Sequence, residues 1–201
     1  MYEALTFASI TAPLDGISSQ TMESHYKLYE GYVKKANEIE EKLASVDRDP
    51  VKANQTYGEL RELKLELSFA LGGIKNHVNY FGILGGKGGQ PSGALLAQIE
   101  KDFGSFELWA ADLKATGIAA RGWVWLAYDW DANKLFNYLG DAQNSYPIWN
   151  ATMILALDTY EHAYWIDYQQ NRAAYIDAFM KNLNWEPVEQ AWQNVTAMTK
   201  D

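Results

Sequence analysis

The chain has 201 residues, 48% apolar and 21% charged, which suits one large or two small globular domains and excludes wholesale disorder. Its 17 basic and 26 acidic residues leave a formal charge of −9, which argues against a general nucleic-acid binder. The sequence contains no cysteine, so disulfides, thiolate zinc sites, iron–sulfur clusters and cysteine nucleophiles are excluded together.

The N-terminal residues lack the basic start and apolar run of a signal peptide. The apolar stretches, such as Met153 to Leu157, are too short to span a bilayer. The expectation is a cytoplasmic protein with no membrane and no nucleic-acid partner. After Pro13 and Asp15-Gly16, Ser18 or Ser19 can cap a helix running to about Val46. Met22, His25 or Tyr26, Tyr29, Tyr32 or Val33, Ala36, Ile39 and Leu43 form its inward stripe. Asp47 to Pro50 breaks the pattern. A second helix is expected from about Val51 to Leu84, with Tyr57, Leu60, Leu63, Leu67, Ala70, Ile74, His77 and Phe81 inward. Two such helices fold back as an antiparallel hairpin.

Gly85 to Gly93 holds five glycines and fits no phosphate-binding spacing, so it reads as a flexible linker. One or two helices follow over Ala94 to Ala119, interrupted near Gly104-Ser105. Gly122–Tyr128, Lys134–Leu139 and Thr152–Leu157 are strand-like, with a hairpin turn at Asp131-Ala132-Asn133. Asp129, Asp131 and Asn133 imitate a calcium loop, but Lys134 and Gly140 stand where its glycine and glutamate belong. The tail from Tyr160 to Lys200 returns to helix, broken near Asn184 and Pro187. The fold class is therefore α+β: an N-terminal arm and helical hairpin over residues 1–88, then residues 89–201 with a small, about three-stranded antiparallel sheet and helices.

The chain has three histidines. His25 and His77 lie on the facing stripes of the hairpin, and His162 follows Asp158 by four residues, on one face if both are helical. Three imidazoles and a carboxylate suit a first-row metal such as iron, manganese or zinc. Each histidine can equally be a packed core residue, and composition and spacing leave both readings open.

The residues also resemble a known family. Asp158-Thr-Tyr-Glu-His-Ala-Tyr-Trp, with Asn171-Arg-Ala-Ala-Tyr175 beyond it, is similar to the D-x-W-E-H-A-Y-Y and N-R-R-P-D-Y elements of the iron/manganese superoxide dismutases. Asn76-His77 with Tyr80, Phe103-Gly-Ser-Phe, Gly122-Trp123-Val-Trp-Leu and Glu23-Ser-His-Tyr resemble further motifs of that family, in order along nearly the whole chain.

The resemblance implies that His25, His77, Asp158 and His162 bind one manganese or iron ion per subunit, with water or hydroxide as a fifth ligand. The substrate would be superoxide, disproportionated to dioxygen and hydrogen peroxide. Gln143 and Gly73 lean towards manganese, whereas Tyr80 is more like the iron type. Glu161 implies a homodimer in which it bonds His162 of the other subunit, with a tetramer also open. Tyr160 stands for the family's tryptophan and Trp165 for its second tyrosine. Tyr32, seven residues after His25 rather than eight, is expected to be the gateway. One deleted residue, removing a π-bulge, accounts for that spacing. Tyr29 is expected to share the interface role, Trp123 to join the aromatic shell, and Arg172 to supply positive charge at the entrance. A zinc hydrolase using the same ligands, or a non-catalytic helical binding protein of this fold, are the alternative readings.

Overall fold

The computed structural model describes residues 1–144 and 148–198. Helix α1 spans Ser19–Ser45, opened by Ser18, whose hydroxyl accepts from Thr21 N–H. It runs through all 27 residues as α-helix without a π-turn. Helix α2, Glu59–Gly82, starts eight residues later than the periodicity predicts. The side chains of Asp47, Asp49 and Asn54 accept the backbone N–H groups of Asp49, Val51, Thr56 and Tyr57. Such local turns compete with helix, and Tyr57, expected inward, is 77% exposed.

The hairpin is sealed by two apolar clusters. At its far end Ala36, Ile39, Leu43, Val46 and Ala70 pack with Leu60, Leu63 and Leu67. At the other end Met22, Tyr29, Tyr80 and Phe81 join the main core, which continues into the sheet. Helices α3 (Gly93–Phe103) and α4 (Phe106–Ala119) are separated by Gly104-Ser105, as the sequence predicts.

The sheet has three antiparallel strands in the order β2-β1-β3: β1 Trp123–Asp129, β2 Lys134–Gly140 and β3 Ala151–Asp158. A bulge between Leu126 and Ala127 shifts the register of the β1–β3 pair. Beyond it the register sets Trp123 directly opposite Asp158. Helix α2 covers the outer side of β3, where Asn79 Oδ1 accepts the Ala156 N–H at 2.6 Å. Covering an edge strand in this way limits its pairing with another chain.

A 3-10 turn, Glu161–Ala163, and one turn of helix, α5 Trp165–Tyr168, lead to α6 (Arg172–Lys181) and α7 (Trp185–Met198). The break expected at Asn184 is present. Pro187 makes none: it sits in the first turn of α7, where a missing N–H costs the helix nothing. The last residues assigned to the helical tail, 199 and 200, lie outside the described residues.

The glycine segment is docked rather than flexible. Gly85 and Gly86 N–H donate to Asn182 O, Gly88 N–H to Leu183 O, and Asn184 N–H to Ile83 O. A β-carbon at Gly86 would stand 2.2 Å from Leu183 O, so only glycine permits this approach. The end of α2 is thereby fastened to the α6–α7 turn. No helix among the described residues is long and apolar enough to cross a membrane.

Candidate metal centre

Three separate parts of the chain deliver the four expected donors to one place. His25 comes from the first third of α1, His77 from the last third of α2, Asp158 ends β3, and His162 sits in the 3-10 turn that follows. Asp158 and His162 therefore do not share a helix face; the chain turns between them. One ligand atom from each of the four lies within 4.8 Å of all the others.

The geometry converges on one oxygen. Nε2 of His25 and Nε2 of His162 are each 3.1 Å from Asp158 Oδ2, and His77 Nε2 is 3.6 Å away. The other carboxylate oxygen, Oδ1, accepts the Tyr160 N–H at 2.9 Å. His25, His77 and Asp158 side chains are fully buried, and that of His162 is 24% exposed.

Protonation follows from these surroundings. Burial pushes His25 below the ordinary imidazole value and His77 down to about 3. Burial acts upward on Asp158, but the charges and hydrogen bonds of His162 and His25 outweigh it and hold the carboxyl below its usual range. The site thus combines an ionised carboxylate with neutral imidazoles at His25 and His77, the state in which both side chains ligate metals.

His77 tests the fit of a cation directly. Its Nδ1 donates to Gly73 O at 2.6 Å, so Nε2 carries a bare lone pair. That atom is buried and has no hydrogen-bond partner among the described residues. Its neighbour is the anionic Asp158 oxygen, another acceptor. Two buried acceptors facing each other are unfavourable unless a cation lies between them. The residues present therefore fit a metal ion of mixed nitrogen and oxygen preference.

Aromatic rings enclose the cluster. His25 packs on Tyr80 and Phe81 with ring centroids 4.9 and 5.0 Å away, and His77 meets Trp123 edge-on at 5.1 Å and Tyr32 at 5.4 Å. Tyr160 stacks on His162 at 5.2 Å, and burial raises its phenol to about 12. Gln143 is 3% exposed, and its Oε1 accepts from Trp123 Nε1 at 3.0 Å and from Asn76 Nδ2 at 3.3 Å. An indole only donates, so the amide is oriented with Nε2 towards Tyr32 Oη, 3.3 Å away. Burial raises the Tyr32 phenol, although the Gln143 bond acts the other way. Tyr32 also lines a cavity of about 610 Å³ between α1 and α2.

Tyr29, Arg172 and Glu161 complete the expected set, Tyr29 with its ring 6.3 Å from that of His77. Tyr29 is 0% exposed, and its hydroxyl accepts the Leu5 N–H at 2.9 Å. It fastens the N-terminal arm instead of facing an interface, because its helical position points it at Phe7 and Phe81. Arg172 donates to the carbonyls of Gly117, Ile118 and Ala120 and to Tyr164 Oη. These contacts make it the cation at the C-terminus of α4, a position favoured by the helix dipole. Glu161 is exposed, next to His162 in the 3-10 turn. Asn76, quoted above only as part of a motif, emerges as a partner of Gln143. Its signal was a polar residue on the buried stripe of α2.

Two family models match the chain: iron/manganese superoxide dismutases, alpha-hairpin domain, over residues 10–85, and the C-terminal domain of the same family over residues 91–191. The chain is 46% identical over 184 residues to a protein of Aquifex aeolicus named superoxide dismutase [Fe], covering 90% of this chain and 86% of that one. It is 38% identical over 190 residues to a Cupriavidus metallidurans protein of the same name, covering 92% and 93%. A Halobacterium salinarum protein named superoxide dismutase [Mn] 1 is 36% identical over 176 residues, covering 87% and 86%. With both domain models matched in order and such identity over most of its length, the chain belongs to the iron/manganese superoxide dismutases.

Proposed function

We propose that His25, His77, Asp158 and His162 hold one manganese or iron ion, and that the protein disproportionates superoxide to dioxygen and hydrogen peroxide. The observation that carries this reading is the bare His77 Nε2 facing Asp158 Oδ2 inside a buried four-donor cluster. Bound there, either ion supplies one-electron cycling, which oxidises one superoxide to dioxygen and reduces the next, released with two protons as hydrogen peroxide.

The chain's own residues do the rest. Asp158 is the one anionic donor and, through its charge, biases the ion towards its higher oxidation state. Gln143 occupies a lone pair of Tyr32 Oη, which leaves the phenol's own hydrogen free to donate within the site. Trp123 holds Gln143 in the orientation this requires. Trp123 and Tyr160 also keep bulk water off the histidines. In this reading superoxide enters from the cavity between α1 and α2, past Tyr32.

The same reading includes a homodimer in which Glu161 accepts from the partner's His162. In support, Glu161, Trp165 and Arg172 border a surface cavity of about 390 Å³, and Ile118, Trp165 and Ile166 are 52%, 48% and 45% exposed. An exposed apolar group of this kind marks an interaction surface. An antioxidant role in the cytoplasm completes the proposal.

Metal analysis of the purified chain beside its His77→Ala and Asp158→Ala variants tests the site. About one manganese or iron per chain is expected in the parent, with loss from both variants. Stoichiometric zinc without superoxide turnover would point to the hydrolase alternative instead. Sedimentation of the parent and of Glu161→Ala tests the dimer; a parent that stays monomeric contradicts it.

A further inference from the structure

Two tyrosines that the reaction leaves without a task are buried against the donors. Tyr80 on α2 and Tyr175 on α6 are both 0% exposed. Tyr175 Oη lies 2.9 Å from the main-chain carbonyl oxygen of Asp158 and 3.1 Å from Tyr80 Oη. A carbonyl can only accept. Tyr175 therefore donates to Asp158, and Tyr80 donates to Tyr175, so the two hydroxyls act in series.

The same peptide is held from its other side. Thr159 N–H donates to Gly122 O at 2.8 Å, and the next N–H, that of Tyr160, donates to Asp158 Oδ1. Together these bonds fix the peptide plane after Asp158 and one of its two carboxylate oxygens. The remaining oxygen, Oδ2, is the one that faces the three imidazoles. Phenylalanine would fill either tyrosine's volume, and a buried hydroxyl is costly unless it is paired. Burial holds both phenols above their ordinary value, so both donors keep their protons.

We propose that Tyr175, backed by Tyr80, is a positioning residue that holds the Asp158 peptide and aims its carboxylate at the metal, setting how long the ion is retained and the symmetry of its ligand field. This rests on the reading that the four donors bind manganese or iron.

The test measures metal release into a chelator and the electron paramagnetic resonance spectrum of manganese- and iron-loaded protein. The forms compared are the parent, Tyr175→Phe, Tyr80→Phe and the double variant, with unfolding of each metal-free form recorded alongside. Tyr175→Phe should release metal about tenfold faster and alter the spectrum, as loss of an outer hydrogen bond does at metal sites. Tyr80→Phe should shift both in the same direction by less, and should add nothing once Tyr175 is phenylalanine. Release within about twofold of the parent for Tyr175→Phe overturns the proposal, as do independent effects of the two substitutions. Variants that lose only metal-free stability overturn it too. Should Tyr175→Phe not fold, an unchanged Tyr80→Phe spectrum and release rate decide against it. A parent that retains neither metal overturns the functional reading, and this proposal with it.

Discussion

The ring of Tyr32 lies against the backbone of Gly73, so close that a β-carbon at residue 73 would stand 2.7 Å from Tyr32 Cγ. Tyr32 can reach Gln143 from a regular helix because the facing helix carries no side chain at that level. Gly73→Ala must push the ring aside, since the clash falls on the base of the ring. Alanine gains about 1 kcal/mol in helix preference over glycine, and overpacking costs ~1–3 kcal/mol. The balance is a loss of about 0–2 kcal/mol, so the variant should still fold while superoxide turnover falls. Unchanged turnover, with Tyr32 still bonded to Gln143 in a crystal structure, would refute the coupling.

Tyr32→Phe removes the hydroxyl that Gln143 orients and leaves the four donors untouched. Turnover should drop roughly 10- to 100-fold at unchanged metal content. Steady-state assay and metal analysis on the same preparation check this. Full activity in the variant would take Tyr32 out of the reaction.

Metal-free protein should be acid-sensitive in a defined window. Folded His77 has a pKa of about 3 against 6.5 for the ordinary imidazole. Between those values the unfolded chain binds a proton that the folded chain refuses, so stability rises with pH there. The contribution is complete above about pH 6.5 and is lost as pH falls towards 3. Asp158, held below its usual range, loses its contribution in the same direction as pH falls through its folded value. At ~1.4 kcal/mol per pH unit, lowering pH from 7 to 5 should cost the metal-free form about 2 kcal/mol. Denaturant unfolding at the two pH values measures it, and equal midpoints would contradict the buried neutral His77.

Much of this arrangement is legible in the sequence. Three histidines, two of them on the inward stripes of a hairpin, leave few ways to build a metal site, and the structure brings all three to Asp158. Spacing along the chain cannot show that Trp123 pairs with Asp158 across the sheet, so Asp158 reads locally as a helix-face partner of His162. The late start of α2 is hidden for a related reason: the Asx turn at Asn54 overrides an apolar periodicity that Tyr57 extends ahead of Leu60. Tyr29 and Arg172 show how a residue's role depends on what folds over it. The N-terminal arm claims the hydroxyl of one, and the end of α4 claims the guanidinium of the other.

Arg172→Gln tests that second assignment. Losing the charged donor to the carbonyls of Gly117, Ile118 and Ala120 should lower stability by about 1–3 kcal/mol. Thermal unfolding of the metal-loaded variant reads the loss. If stability holds and turnover instead slows mainly at low salt, Arg172 steers the substrate and its capping contacts matter little.

The most direct measurement is superoxide decay catalysed by the metal-free chain reloaded separately with manganese and with iron, with bound metal quantified in the same samples. The expected result is about one ion per chain and rapid decay with at least one of the two metals. Stoichiometric loading with no decay above background for either metal would contradict it.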